Sequence, residues 1–263
     1  MTSYWDYLQL DTILDAQTPI TPAHDEPLFI VIHQAFEIWF KLLIRELRAT
    51  IKHISEHDIA GATHYMHRVN VILETSAHGF TVMDTMTPAA FQEFREALIP
   101  ASGTQSFQFR EMECLAGMPK IRTVDDQHKH YWDDTPDAGM TLKLFYEKYG
   151  ERLKAVEEEV ATHGSLRSTL TKLLLKETGA TDLHEAAEKA TGPLAELVKT
   201  VKAFDSGFIQ WRHMHVSTTA HAIHDSPGTV LNEKGGAPST SCVYYLQHTI
   251  TVQERLLFPE FHS

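Results

Sequence analysis

In the stretch FIVIHQAFEIWFKLLIREL, Phe29, His33, Phe36 and Phe40 recur at intervals of four, three and four, and Phe204, Phe208, Trp211 and His215 repeat those intervals in AFDSGFIQWRHMH. Such spacing puts each set on one face of a helix, giving two aromatic stripes that each carry one imidazole. A histidine on an apolar face is fully accounted for by one hydrogen bond inside a core. Two such stripes in one chain also offer walls for a flat apolar ligand. His213 and His215 cannot grip one metal from a regular helix, because residues two apart point roughly 200° away from each other. The His-Glu-x-x-His pattern of zinc proteases and the Glu-x-x-His pairs of di-iron bundles are both missing. His33 and Glu37 could begin a carboxylate metal site, but no second helix supplies the matching pair. Two readings stay open: core histidines, or a haem, which needs one axial nitrogen and a large apolar slot.

A third element is Arg110, on the otherwise apolar helical stretch of ASGTQSFQFREMECLAG. A covered guanidinium demands an anion, and its planar fork meets a carboxylate bidentately. Either an internal Glu or Asp supplies that carboxylate, or a substrate does.

The elements that must position these residues read as helices. From Leu28 the apolar positions Val31, Ile32, Ala35, Trp39, Leu42, Leu43 and Leu47 follow a 3.6-residue period, while Lys41, Arg45, Glu46 and Arg48 come late. The first half of this helix is therefore expected to be covered and the second half to lie at the surface. The turn-rich TPITPAHDEP precedes it. A second helix is expected through AGATHYMHRVNVILETSAHGFTVMDTM. A third begins at TPAAFQEFREAL, with Thr87 as N-cap and Pro88 at the first helical position, and PASG stops it. The polar MPKIRTVDDQHKHYWDDTPDAG reads as a loop, Met140 to Leu175 as mostly helical, and about Leu194 to Ile223 as the helix carrying His215. HDSPGTVLNEKGGAPSTS reads as a loop before a last short helix ending in LLFPEF. Convincing alternating strands are absent, so the expected fold class is all-α.

Composition narrows the function classes. With 263 residues, 43% of them hydrophobic, the chain can bury a sizeable core. A formal charge of −12 without a basic patch argues against nucleic acid or an anionic membrane as partner. Two distant cysteines, Cys114 and Cys242, give neither a disulfide framework nor a haem-attachment motif, which fits a reducing cytoplasm. MTSYWDYLQL carries no basic region followed by an apolar stretch, so no secretion signal or membrane span is expected. The 17 histidines are roughly three times the usual complement, more than structure alone asks for.

At these residues the chain resembles the tryptophan 2,3-dioxygenase family. The resemblance runs through YWDYLQLDTILDAQ, HDEPLFIVIHQAFEIWFKLL, MTPAAFQEFREALIPASGTQSFQFR, WRHMHV and LFPEF, in the family's order. It implies an all-helical homotetramer with non-covalent haem b, acting on dioxygen and an L-tryptophan-type amino acid. Carried over by position, His215 falls at the proximal iron ligand and His33 at the distal histidine, facing dioxygen and the indole N–H. Phe29 matches the aromatic residue beside the indole, and the neighbours of His33 become pocket wall. Arg110 matches the arginine that holds the substrate carboxylate. Tyr4, Tyr7 and Leu8 match pocket residues donated by a neighbouring subunit. The resemblance thus implies a single haem-binding oxygenase domain over 1–263, whose N-terminal arm (1–20) reaches that neighbour.

One departure is large. The family has a continuous GTGGSSG loop after the proximal histidine; here Gly228 and Thr229 stand at the matching distance, but VLNEKGGAPST intervenes before SCVYYL. Thr229 is matched to the family threonine that touches the substrate's amino-acid group, with the 236–241 segment as the competing match. A rebuilt lid favours a specialised monooxygenase giving an oxindole from tryptophan or β-methyltryptophan. The alternatives are ordinary ring cleavage to N-formylkynurenine, and a haem-based sensor or carrier without turnover.

Overall fold

A computed structural model describes residues 2–98, 101, 103–118, 136–222 and 257–262. Among these residues the chain forms eleven α-helices and no strand, as the missing alternation predicts. Two five-residue helices, α1 (Tyr4–Leu8) and α2 (Leu10–Leu14), open the chain. Then come α3 (Glu26–Ser55), α4 (Ile59–Ala77), α5 (Gly79–Met83), α6 (Pro88–Arg95) and α7 (Phe107–Ala116). After the segment that lies outside the described residues follow α8 (Pro136–His163), α9 (Leu166–Thr178), α10 (Leu183–Lys189) and α11 (Gly192–Ala222).

Local signals fix the helix ends. Thr87 accepts a hydrogen bond from the Ala90 N–H with Pro88 in the first turn, as expected for α6. Ser106 accepts from the Phe109 N–H to start α7, and Gly117 ends it at φ 92°, a left-handed conformation that a side chain would resist. The single helix expected across residues 60–86 is instead α4 and α5, broken at His78. Met140 to Leu175 likewise divides at Gly164, where the Ser165 capping box starts α9.

The main core is built where α3, α4, α7, α9 and α11 meet, around Leu43, Leu47, Met66, Met112, Leu170, Leu197 and Phe204. A smaller apolar cluster joins Met83, Met86, Phe91 and Phe94 to Ala222. Phe258, just after the 223–256 segment, is fully buried, and its N–H and that of Leu257 donate to the Asp205 carboxylate on α11. The expected order of burial along α3 is reversed. Leu43, Ile44, Leu47, Ile51 and Ile54 are buried, whereas Val31 and Ile38 in the first half are 46% and 56% exposed. Periodicity finds an apolar face but cannot say whether the same chain covers it. By length and composition α3 could cross a membrane. Its later turns are instead tied by charge to the bundle, Arg48 to Glu111 and Glu159 and Glu46 to Arg68.

Candidate haem and substrate site

His33 stands where the two apolar clusters meet: Phe29 and Ile32 pack on the smaller one, Phe36 belongs to the larger. Its Nδ1 lies 2.8 Å from the Phe29 carbonyl oxygen, one turn back. A carbonyl only accepts, so Nδ1 carries the proton and Nε2 is left as an acceptor. Burial pushes the His33 pKa down and outweighs that hydrogen bond, so the ring is neutral. The Phe29 ring lies 4.1 Å from the imidazole, with Phe91 and Phe94 behind it at 5.8 and 5.6 Å.

His215 faces this group from α11. Phe80 stacks on it at 5.9 Å and Trp211 lies 5.6 Å away; Phe36, 4.9 Å from Phe80, links the two histidines' surroundings. Burial, then the proximity of His33 and of the Arg110 guanidinium, pushes His215 down to about 4. His215 is therefore close enough to His33 and to Arg110 to sense their charge. Both imidazoles are densely surrounded by protein yet keep accessible surface. Side chains that line a recess have that combination. His213, two residues away on α11, is exposed, as the helix geometry predicts.

The rest of the two stripes does not enclose a slot. Trp211 packs at 5.3–5.7 Å on Phe36, Phe40 and Phe109, and Phe109 stacks on Phe208 at 5.7 Å. Phe36, Phe40, Phe204, Phe208 and Trp211 are core, and only the ends with His33, Phe29 and His215 stay open. Aromatic rings that meet edge to face fill the space themselves. Glu37 does not belong to a metal cluster: its backbone and side-chain oxygens accept from Gln108 Nε2 at 2.7 and 2.8 Å.

Arg110 takes the internal option left open by the sequence. Its Nη1 donates to Glu113 Oε2 at 2.6 Å, and the other oxygen of Glu113 accepts from Arg212 Nη2 at 2.5 Å. Arg212 is buried between α7 and α11, its guanidinium 4.2 Å over the Phe208 ring. Neither Glu113 nor Arg212 is evident in the sequence, because their pairing joins residues far apart in the chain. Phe80, too, carries no signal beyond being apolar. Thr229 lies outside the described residues. Tyr4 and Tyr7 are 71% and 77% exposed, and Leu8 is half-buried. No residue of α1 or α2 is buried.

Comparison with known proteins decides the family. The profile described as tryptophan 2,3-dioxygenase matches residues 1–181. A tryptophan 2,3-dioxygenase of Pseudomonas aeruginosa is 34% identical over 266 residues, covering 98% of this chain and 87% of its own. One from Polaromonas is 34% identical over 268 residues, with 98% and 85% covered. One from Xenopus tropicalis is 35% identical over 236 residues, with 81% and 58% covered. The chain belongs to the tryptophan 2,3-dioxygenase family. It is thus a haem-dependent oxidoreductase, as the resemblance implies; the family binds haem b without a covalent link, and homotetramers are typical of it.

The residues present fit the family's cofactor. Among the described residues no group of three or more His, Cys, Asp or Glu could hold a bare metal ion. What they would offer iron is a neutral imidazole with a lone pair to donate, as at His215 beside Phe80 and Trp211.

Proposed function

We propose that this chain is itself a tryptophan 2,3-dioxygenase, opening the indole ring of L-tryptophan to N-formylkynurenine with both atoms of dioxygen. The observation that carries this reading is a placement: neutral imidazoles from α3 and α11 meet where two apolar clusters join, with the Arg110 guanidinium of α7 in electrostatic range of His215. His215 is the residue that would hold the haem iron. Haem, when bound, supplies oxygen activation at ferrous iron. His33 accepts the indole N–H at Nε2, the only role its tautomer leaves it toward a donor. Phe29, beside that imidazole, covers the indole. Arg110, oriented by Glu113 through Nη1, takes the substrate carboxylate. Fixing the amino acid at both ends sets which edge of the indole faces dioxygen, a positioning effect. The aromatic surroundings keep water out and strengthen both contacts.

Thr229 completes the hold on the amino-acid group, and Tyr4, Tyr7 and Leu8 close the pocket of a neighbouring subunit in a homotetramer. On this reading residues 1–263 act as one haem-binding domain with 1–20 as the arm. The oxindole outcome finds no support in the relatives, all named for the dioxygenase reaction. Its motive, the lid from Gly228 to Ser241, lies outside the described residues.

The product decides. Ferrous enzyme given L-tryptophan and labelled dioxygen is expected to yield a ring-opened product carrying two labelled atoms by mass spectrometry. One label on an intact indole skeleton restores the monooxygenase, and absence of turnover favours a sensor or carrier. Arg110→Ala is expected to weaken tryptophan binding by about 2–5 kcal/mol, the usual cost of leaving a buried charge unpaired. Calorimetric titration of the haem-loaded protein measures it, and an unchanged affinity removes Arg110 from the site.

A further inference from the structure

His33 and His215 differ in what becomes of the second ring nitrogen. His33 Nδ1 donates to the Phe29 carbonyl oxygen, one turn back, at 2.8 Å. His215 makes no matching bond to the Trp211 carbonyl. Its own carbonyl accepts from Thr219 Oγ1 at 2.8 Å, and among the described residues its ring takes part in no hydrogen bond. An imidazole that holds iron through one nitrogen keeps a proton on the other, and that N–H calls for an acceptor that orients the ring and raises its basicity.

Two buried polar atoms on the same face of α11 have no hydrogen-bond partner among the described residues: Trp211 Nε1, one turn before His215, and Thr218 Oγ1, one turn after it. An indole N–H only donates, so Trp211 Nε1 cannot receive an imidazole N–H, whereas a hydroxyl oxygen can. Thr218 also breaks a habit of this chain. Thr50, Thr169, Thr200 and the adjacent Thr219 each donate the hydroxyl to the carbonyl four residues back, at 2.7–2.9 Å. Thr218 does not bond the Met214 carbonyl in that way. It is 6% exposed, and Ala222, one turn on, packs in the smaller apolar cluster, so bulk solvent does not take up the hydroxyl either. A buried hydroxyl left unpaired is costly, and valine would fill the same volume without that cost. Side chains on a helix lean toward its N-terminus, which brings Thr218 back over the turn of His215.

We propose that Thr218 is a positioning residue for the axial ligand: its hydroxyl accepts the second N–H of His215, fixing the rotation of the ring and making it a stronger donor to iron. The proposal rests on the reading of His215 given above. The hydroxyl's own proton then turns to the Met214 carbonyl, as the neighbouring threonine's does to His215, and neither group is left unpaired.

Thr218→Val removes the acceptor and keeps the shape, while Thr218→Ser keeps the acceptor. In the haem-loaded ferrous protein the resonance Raman band of the iron–imidazole stretch is expected to move to lower frequency in Thr218→Val and to return in Thr218→Ser. The haem reduction potential should rise in the valine variant. Haem affinity, measured by transfer to apomyoglobin, should fall about tenfold, the lower end of what losing such a partner costs a metal site. A role in packing alone leaves the band in place and shows instead as a lowered melting temperature of the haem-free protein; that result overturns the proposal and leaves the Trp211 carbonyl as the acceptor. A band that shifts equally in the valine and serine variants overturns it as well. If Thr218→Val does not fold, Thr218→Ala replaces it with the same expected direction. A wild-type ferrous protein with no iron–imidazole band defeats the His215 reading itself and the proposal with it, a result distinct from the others.

Discussion

His215→Ala is expected to purify without haem, while His213→Ala keeps a full complement. The two histidines are two residues apart on α11, and the helix turns them to opposite fates: His213 is exposed, whereas His215 is surrounded by Phe80, Trp211 and the bulk of the bundle. Its lowered pKa matters for the bond. An imidazole that stays neutral down to about pH 4 offers its lone pair to iron throughout the ordinary range, without a proton to displace. Haem per subunit, by extraction and absorbance, measures the outcome, and far-ultraviolet circular dichroism checks that the helices survive. Free imidazole, small enough to occupy the space the side chain leaves, should restore haem uptake in His215→Gly. Haem retained in His215→Ala but lost in His213→Ala means that the ligand is the other histidine.

Deleting residues 1–10 is expected to leave haem bound and to abolish tryptophan binding. A five-residue helix cannot hold itself together in water, since its few hydrogen bonds do not repay nucleation. Yet α1 and α2 lie in sequence as two such helices, with Tyr4, Trp5, Tyr7 and Leu14 each more than half exposed. Beyond them the chain is anchored: Gln34 on α3 donates to the Ala16 carbonyl at 3.0 Å and accepts from Gln17 at 2.6 Å, one residue from His33. The arm is therefore held on α3 next to His33 in sequence, with its aromatic side chains uncovered. Sedimentation, haem content and calorimetry on the truncated protein test the expectation together. A monomer that still binds tryptophan ends the idea that neighbouring subunits complete each other's sites.

Much of this is legible in the sequence. The 3.6-residue pattern gave α3 and α11, Thr87-Pro88 gave the start of α6, and the two histidine stripes pointed to the face that holds the recess. The same stripes overstated its size. Spacing cannot distinguish rings that wall a space from rings that fill it, and Trp211 with Phe40 and Phe109 does the latter. Helices broken by one residue, as at His78, look continuous to a periodicity argument because the apolar phase resumes on the far side. Of the Arg110–Glu113–Arg212 chain the sequence singles out only Arg110. Arg110 and Glu113 are three apart on one helix, but the second guanidinium comes from 99 residues further along.

Gly79 gives the recess a dimension controlled from outside it. A methyl group there would come within 2.6 Å of the Phe36 ring, far inside contact distance, and within 3.5 Å of Ile32. The first turn of α5 thus rests directly on α3, and that approach sets how near Phe80, the next residue, brings its ring to Phe36 and His215. A hydrogen atom in place of a methyl is what fixes the gauge of the opening. The distance of Phe80 from Phe36 and His215 can accordingly shift through a change behind them, at a residue that brings no functional group of its own.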